Sequence, residues 1–97
     1  MTIEKTVNGN EAILKLEGWM DTEGAPALGQ ALSELGPEVK HLVLDLSGLE
    51  YTSSAGIRQI VAAHKQMNGE LTLRNVRMEV QDVLTMTGVA KKLHIEP

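Results

Sequence analysis

The segment YTSSAGIRQI, residues 51–60, sets two hydroxyls, Ser53 and Ser54, beside two small residues, Ala55 and Gly56, directly after a strongly apolar run. Read as a strand-to-helix junction, this is a place where a hydroxyl can do one of two things. It can cap the helix, since Ser is among the best acceptors for the unpaired N–H groups of a first turn. It can also carry a phosphate, because those N–H groups and the aligned peptide dipoles favour an anion of about two negative charges at that end. Ala55 and Gly56 leave the hydroxyls open to a second protein. Catalysis is not expected: no His lies near Ser54 in sequence to activate it as a nucleophile. A nucleotide loop is equally disfavoured, because no G-x-x-x-x-G-K-[ST] and no G-x-G-x-x-G is present.

The elements that would hold this junction are legible from periodicity. HLVLDLSGL, residues 41–49, is the most apolar run, and its near-continuous Leu42, Val43, Leu44 and Leu46 predict a strand covered on both faces. From Ser54 to Met67 the spacing of Ala55, Ile57, Ile60 and Val61 predicts an amphipathic helix ended by Asn68-Gly69. AILKLEG, residues 12–18, alternates as a half-buried strand ending at Gly18, and TIEKTVN is its hairpin partner across the tight turn NGN at 8–10. Leu28, Ala31, Leu32 and Leu35 give a helix over Ala25–Leu35, signalled at its start by Asp21 or Thr22 and stopped by Gly36-Pro37. ELTLRNV, residues 70–76, is a further strand. Val80, Val83 and Leu84 mark a last helix ended by Gly88, and KLHIE closes the chain as a short strand. The order β-β-α-β-α-β-α-β, with its strand-helix-strand crossovers, predicts an α/β fold with an open mixed sheet and helices packed on it. Open sheets of this kind keep their sites at the carboxyl ends of strands, where Ser53 and Ser54 stand.

Composition narrows the function classes. The 97 residues form one expected domain, 1–97, with no linker, repeat or low-complexity tract. With no cysteine there are no disulfides or thiolate sites, in keeping with a reducing compartment. No run reaches membrane-span length and the start lacks a signal-peptide pattern, so a cytoplasmic location is expected. A formal charge of -4 argues against nucleic acid and for a protein partner.

The stretch LVLDLSGLEYTSSAGIRQIVAAHKQM, residues 42–67, resembles the core of the STAS domain, the family of sulfate-transporter and anti-sigma-factor-antagonist domains. Its pattern is a hydrophobic strand, Asp-Leu-Ser-Gly, an aromatic, then small hydroxyl residues and a glycine opening a helix. LEGWMD, 16–21, is similar to the family's loop after the second strand, and residues 69–95 to its last strand, helix and closing strand. The resemblance implies the STAS fold and, with no transporter spans attached, a free-standing anti-sigma factor antagonist. Such a protein captures an anti-sigma factor that is also a serine kinase of the histidine-kinase-like ATPase type, and phosphorylation ends the capture. Aligned on the helix-opening glycine, Ser54 falls on the phosphoacceptor position, with Ser53 second; the family's acid before that serine is Ser53 here, and its second serine is Ala55. Asp21 matches the loop acid next to the site, with helix capping as its alternative role. No cofactor is implied. The other function class is a STAS subunit of a larger transport or signalling assembly in which these hydroxyls only cap.

Around the junction, the expected partner surface comprises Trp19, Met20, Asp21, Ser53, Ala55, Gly56 and Arg58, with Trp19 and Met20 read as an apolar pair in a turn that is either a lid on the core or an anchor for a partner, the anchor being preferred. Arg58 also has the ordinary reading of a solvated helix residue. Asp45 and Ser47 are expected to shape the strand exit by local hydrogen bonding. His41, His64 and His94 fall on separate elements without ligand spacing, so no metal is expected.

Overall fold

A computed structural model describes residues 1–96 of the chain; Pro97, the last residue of the expected domain, lies outside the described residues. The elements are β1 (Thr2–Asn8), β2 (Glu11–Met20), α1 (Ala25–Ser33), β3 (His41–Thr52), α2 (Ser54–Gln66), β4 (Leu71–Arg74), α3 (Met78–Met86) and β5 (His94–Ile95), with a 3-10 turn at Val89–Lys92 before the last strand. They assemble into a five-stranded sheet in the order β1-β2-β3-β4-β5. β1 is antiparallel to β2 and every other pairing is parallel, so the α/β, open mixed sheet expected from the sequence is what forms. The turn signals hold as well: Gly9, Asn68, Gly69 and Gly88 all take positive φ where the chain reverses or a helix ends. α1 is two residues shorter than its apolar spacing suggested, stopping at Ser33 with Glu34 as its C-cap.

One aliphatic cluster holds the domain together. Leu14 and Leu16 of β2, Leu42, Leu44, Leu46 and Leu49 of β3, and Leu71 and Leu73 of β4 meet Leu28 and Leu32 of α1, Ile57 and Ile60 of α2, and Val80 and Leu84 of α3. All three helices therefore lie on one side of the sheet. The expectation that β3 is covered on both faces is corrected: Val43, on its other face, is buried without belonging to that cluster. It stands between Ile13 of β2 and Thr72 of β4 in the register, so neighbouring strands, not a helix layer, shield it. A central strand can read as doubly covered for this reason alone.

The uncovered side carries a row of alternating charge. Glu4, Lys15, Asp45 and Arg74 are successive partners across the four strands, and Arg74 Nε lies 3.6 Å from Glu96 beyond them. Opposite charges directly across a sheet support the register, whereas like charges would oppose it.

Both long strands outrun their expected ends, β2 passing Gly18 to reach Met20 and β3 passing Leu49 to reach Thr52. The register between them shifts twice, between Lys15 and Glu17 and again between Gly18 and Trp19, and each shift inserts an extra residue on β3. These are β-bulges. Their effect is that Leu42, Leu44 and Leu46, two apart, are followed by Leu49 and Thr52, three apart, all buried. Strict alternation would have turned Leu49 outward; the bulges keep the end of β3 facing the core and deliver the chain to α2.

Candidate functional site

The junction between β3 and α2 separates the two serines. Ser53 is the N-cap of α2, with extended backbone and a side chain that accepts from the Gly56 N–H at 3.3 Å. Its hydroxyl also donates to the Met20 carbonyl at 3.1 Å, and its N–H donates to the same carbonyl at 2.9 Å. Ser53 thus ties the end of β2 to the start of α2, and its one hydroxyl proton is committed to the Met20 carbonyl, so a group bonded to that oxygen would break the tie. Ser54, the first residue of the helix, is exposed and makes no side-chain hydrogen bond among the described residues. The cap belongs to Ser53, and the free hydroxyl in the field of the helix N-terminus belongs to Ser54.

Two residues expected on the partner surface are corrected to the interior. Met20 is 0% exposed, the last inward position of β2, so it cannot meet a partner. Gly56 is buried too: a Cβ there would fall on Thr52 Oγ1 and lie 2.8 Å from Met20 Cγ. Its smallness lets α2 sit directly on the strand ends; it does not open a path to the hydroxyl. Ala55 is half-buried against the core, and Arg58, one turn after Ser54 on the same helix, is exposed.

Asp21 does not cap α1, whose N-cap is Gly24 with no side-chain cap bond, but it holds the turn before that helix. Its Oδ1 accepts from the N–H groups of Glu23 at 3.1 Å and Gly24 at 2.7 Å, and its carbonyl accepts from Ala25 N–H at 2.8 Å. It organises the turn into α1 and makes no hydrogen bond to Ser54.

Trp19 is 57% exposed and parts from Met20 because adjacent strand residues point to opposite faces. Its partner is Tyr51, 41% exposed, with ring centroids 5.2 Å apart at 39°. Sequence reasoning passed over Tyr51. The available signal was that Trp19 and Tyr51 are the only aromatic residues of the Phe, Tyr and Trp set in the chain.

Asp45 and Ser47 sit at the first bulge rather than at the strand exit. The Ser47 N–H donates to Asp45 Oδ1 at 3.0 Å, Asn75 Nδ2 donates to the same oxygen at 3.2 Å, and Arg77 Nε donates to the Ser47 carbonyl at 2.8 Å. Arg77 so replaces the ladder partner that β4 no longer supplies past Arg74. Burial pushes the Asp45 carboxyl up, but the bonds from Ser47 and Asn75 and the charge of Lys15 outweigh it and hold the group below its ordinary value. Among the described residues no three His, Asp or Glu side chains are grouped to hold a metal, and no helix is long and apolar enough to cross a membrane.

Comparison with known proteins converges on one family. The family model described as "Mlab, STAS domain" matches residues 3–95. BtrV of Bordetella bronchiseptica, named for anti-sigma factor antagonism, is 32% identical over 77 residues, a match that covers 75% of this chain and 66% of that relative's length. The crystal structure of an anti-sigma factor antagonist from Mycobacterium paratuberculosis superposes with a TM-score of 0.87 at 23% identity, covering 99% of this chain and 85% of the other. The Bacillus cell fate determinant SpoIIAA, solved in its phosphorylated form, gives 0.69 at 14% identity over 97% of this chain and 90% of its own. With a family match over nearly the whole length and a fold shared with these structures, the chain belongs to the STAS domain family.

Proposed function

We propose that this protein is an anti-sigma factor antagonist, a cytoplasmic binding module and not an enzyme, whose capture of a kinase-type anti-sigma factor is ended by phosphorylation of Ser54. The observation that carries this reading is the division of labour at the start of α2. Ser53 alone supplies the cap, so Ser54 presents an exposed hydroxyl with no structural task. The similarity to BtrV supports the antagonist role, and the existence of a phosphorylated form of SpoIIAA supports the modification. Ser54 and Arg58, on one exposed side of the helix start, form the centre of the partner surface, with the exposed part of Ala55 between them and Asp21 holding the adjoining turn.

The switch acts on binding and leaves the fold alone. A negative charge at a helix start is favourable by about 0.3–1 kcal/mol, and Ser54 has no cap bond to lose. At an interface shaped for a neutral hydroxyl, the same charge would be desolvated without a partner, at a cost of about 3–5 kcal/mol, or more than about 100-fold in affinity. The test is phosphopeptide mapping after incubation with the cognate kinase and ATP, together with affinity and thermal midpoints for the parent, Ser54→Ala and Ser54→Asp proteins. Label confined to Ser54, three midpoints within about 4 °C and loss of the partner only by Ser54→Asp are expected. Equal labelling of Ser54→Ala, or full binding by Ser54→Asp, would leave the family's other role, a STAS subunit whose serines only cap.

A further inference from the structure

Trp19 and Tyr51 account for every Trp, Tyr and Phe in the chain, and neither contributes to the aliphatic core. A domain that spends its only large rings on an exposed, tilted pair gains little folding stability from them. Exposed aromatic pairs are, however, the residues most enriched at protein interfaces. The pair stands at the carboxyl end of β2 and β3, on the side of the sheet that no helix covers. The helices and Ser54 lie on the other side. The second β3 bulge creates this placement, since its extra residue, Glu50, sits exposed beside Tyr51 and brings Tyr51 opposite Trp19.

The charge around the rings selects the chemistry. Glu17, two residues before Trp19 on the same face of β2, and Glu50 are both exposed, and neither has an ion-pair partner among the described residues. Two cations of this face are engaged elsewhere, since Arg74 lies against Glu96 and Arg77 donates to the Ser47 carbonyl, while Lys15 is exposed between Glu4 and Asp45 in the register and makes no ion pair among the described residues. Two exposed rings with a free carboxylate two residues away on β2 and another one residue away on β3 fit a guanidinium: indole is the best cation–π acceptor, and arginine's planar fork can stack on a ring while donating to a carboxylate. An anionic lipid or a nucleic acid would be repelled, and a second copy would bring the same acids against these.

We propose that the Trp19–Tyr51 end of the open sheet face docks an arginine-bearing basic segment of a partner protein. This surface is independent of the Ser54 switch. Because Trp19 is the chain's single tryptophan, its emission reports on this site alone. The probe is a short synthetic peptide alternating arginine and serine, titrated into the full chain at low and moderate salt. A lysine-serine counterpart and a glutamate-serine counterpart serve as controls. A saturable shift of Trp19 emission is expected with the arginine peptide, weaker with lysine and absent with glutamate. Tyr51→Ala and the pair Glu17→Lys with Glu50→Lys should each weaken binding by about fivefold or more, with unchanged circular dichroism. Ser54→Asp should bind the peptide like the parent, so failure of the phosphorylation reading and failure of this one are separable. The proposal is overturned if no saturable shift occurs. It is also overturned if Glu34→Lys with Glu38→Lys, on the chain's other acids, weakens binding as much as the Glu17 and Glu50 changes. Emission that shifts with protein concentration alone would make the occupant a second copy and equally overturn it.

Discussion

The two sides of the sheet are built from the same strands but answer to different constraints. On the helix side, Leu14, Leu16, Leu42, Leu44, Leu46, Leu71 and Leu73 are sealed under three helices, and every partner is aliphatic. On the other side the same strands present a charge row from Glu4 to Glu96, a shielded Val43 and the Trp19–Tyr51 pair. The difference teaches that the folding burden is divided by face. The helix side holds the fold, and the uncovered side carries charge and exposed rings that the fold does not need. The helix start, where Ser53 and Ser54 stand, is the seam between the two sides.

Substitutions should sort accordingly, and the largest effect belongs to the sealed side. Leu44→Ala, at a fully buried position in the middle of β3, is expected to lower unfolding free energy by about 2–5 kcal/mol in denaturant titration, while Trp19→Ala on the open side stays within about 0.5 kcal/mol. Comparable losses for both would erase the division. Next comes the seam. Gly56→Ala places a methyl against Thr52 Oγ1 and Met20, so about 1–3 kcal/mol of destabilisation is expected from the thermal midpoint, against near-neutrality for Ser54→Ala two residues earlier. The smallest effect lies on the open side and appears only with acid. Asp45 is held below its ordinary value of 3.8, so its contribution is fully present above that pH and is lost as pH falls through the lower folded-state value. For a partly exposed group this amounts to less than about 1 kcal/mol. Asp45→Asn should therefore flatten the parent's loss of stability on acidification below about pH 4, and an unchanged acid slope would assign that loss to other carboxylates.

Much of this architecture was legible in one dimension because its causes are local. Helical spacing at Leu28, Leu32, Ile57 and Ile60, alternation at Leu14 and Leu16, and Gly9, Gly69 and Gly88 at reversals each act within a few residues, so element order and fold class followed from the sequence. The family resemblance likewise rested on contiguous residues around TSSAG. The strand ends, by contrast, depend on a second strand. β2 and β3 run past the ends that alternation predicts because bulges break the period-two pattern, and a bulge exists only in the register between two strands.

The sequence by itself determined that this is an α/β domain with serines at a helix start, since propensity, periodicity and turn chemistry are properties of neighbouring residues. The tertiary structure alone decided which serine caps and which stays free. The Met20 carbonyl that holds Ser53 comes from 33 positions away, and nothing in TSSAG announces it. It also decided that Met20 and Gly56 are interior while Trp19 is not, because burial depends on what packs opposite. Tyr51 became Trp19's partner in the same way: two extra residues on β3 brought it there, through hydrogen bonds that no single segment encodes.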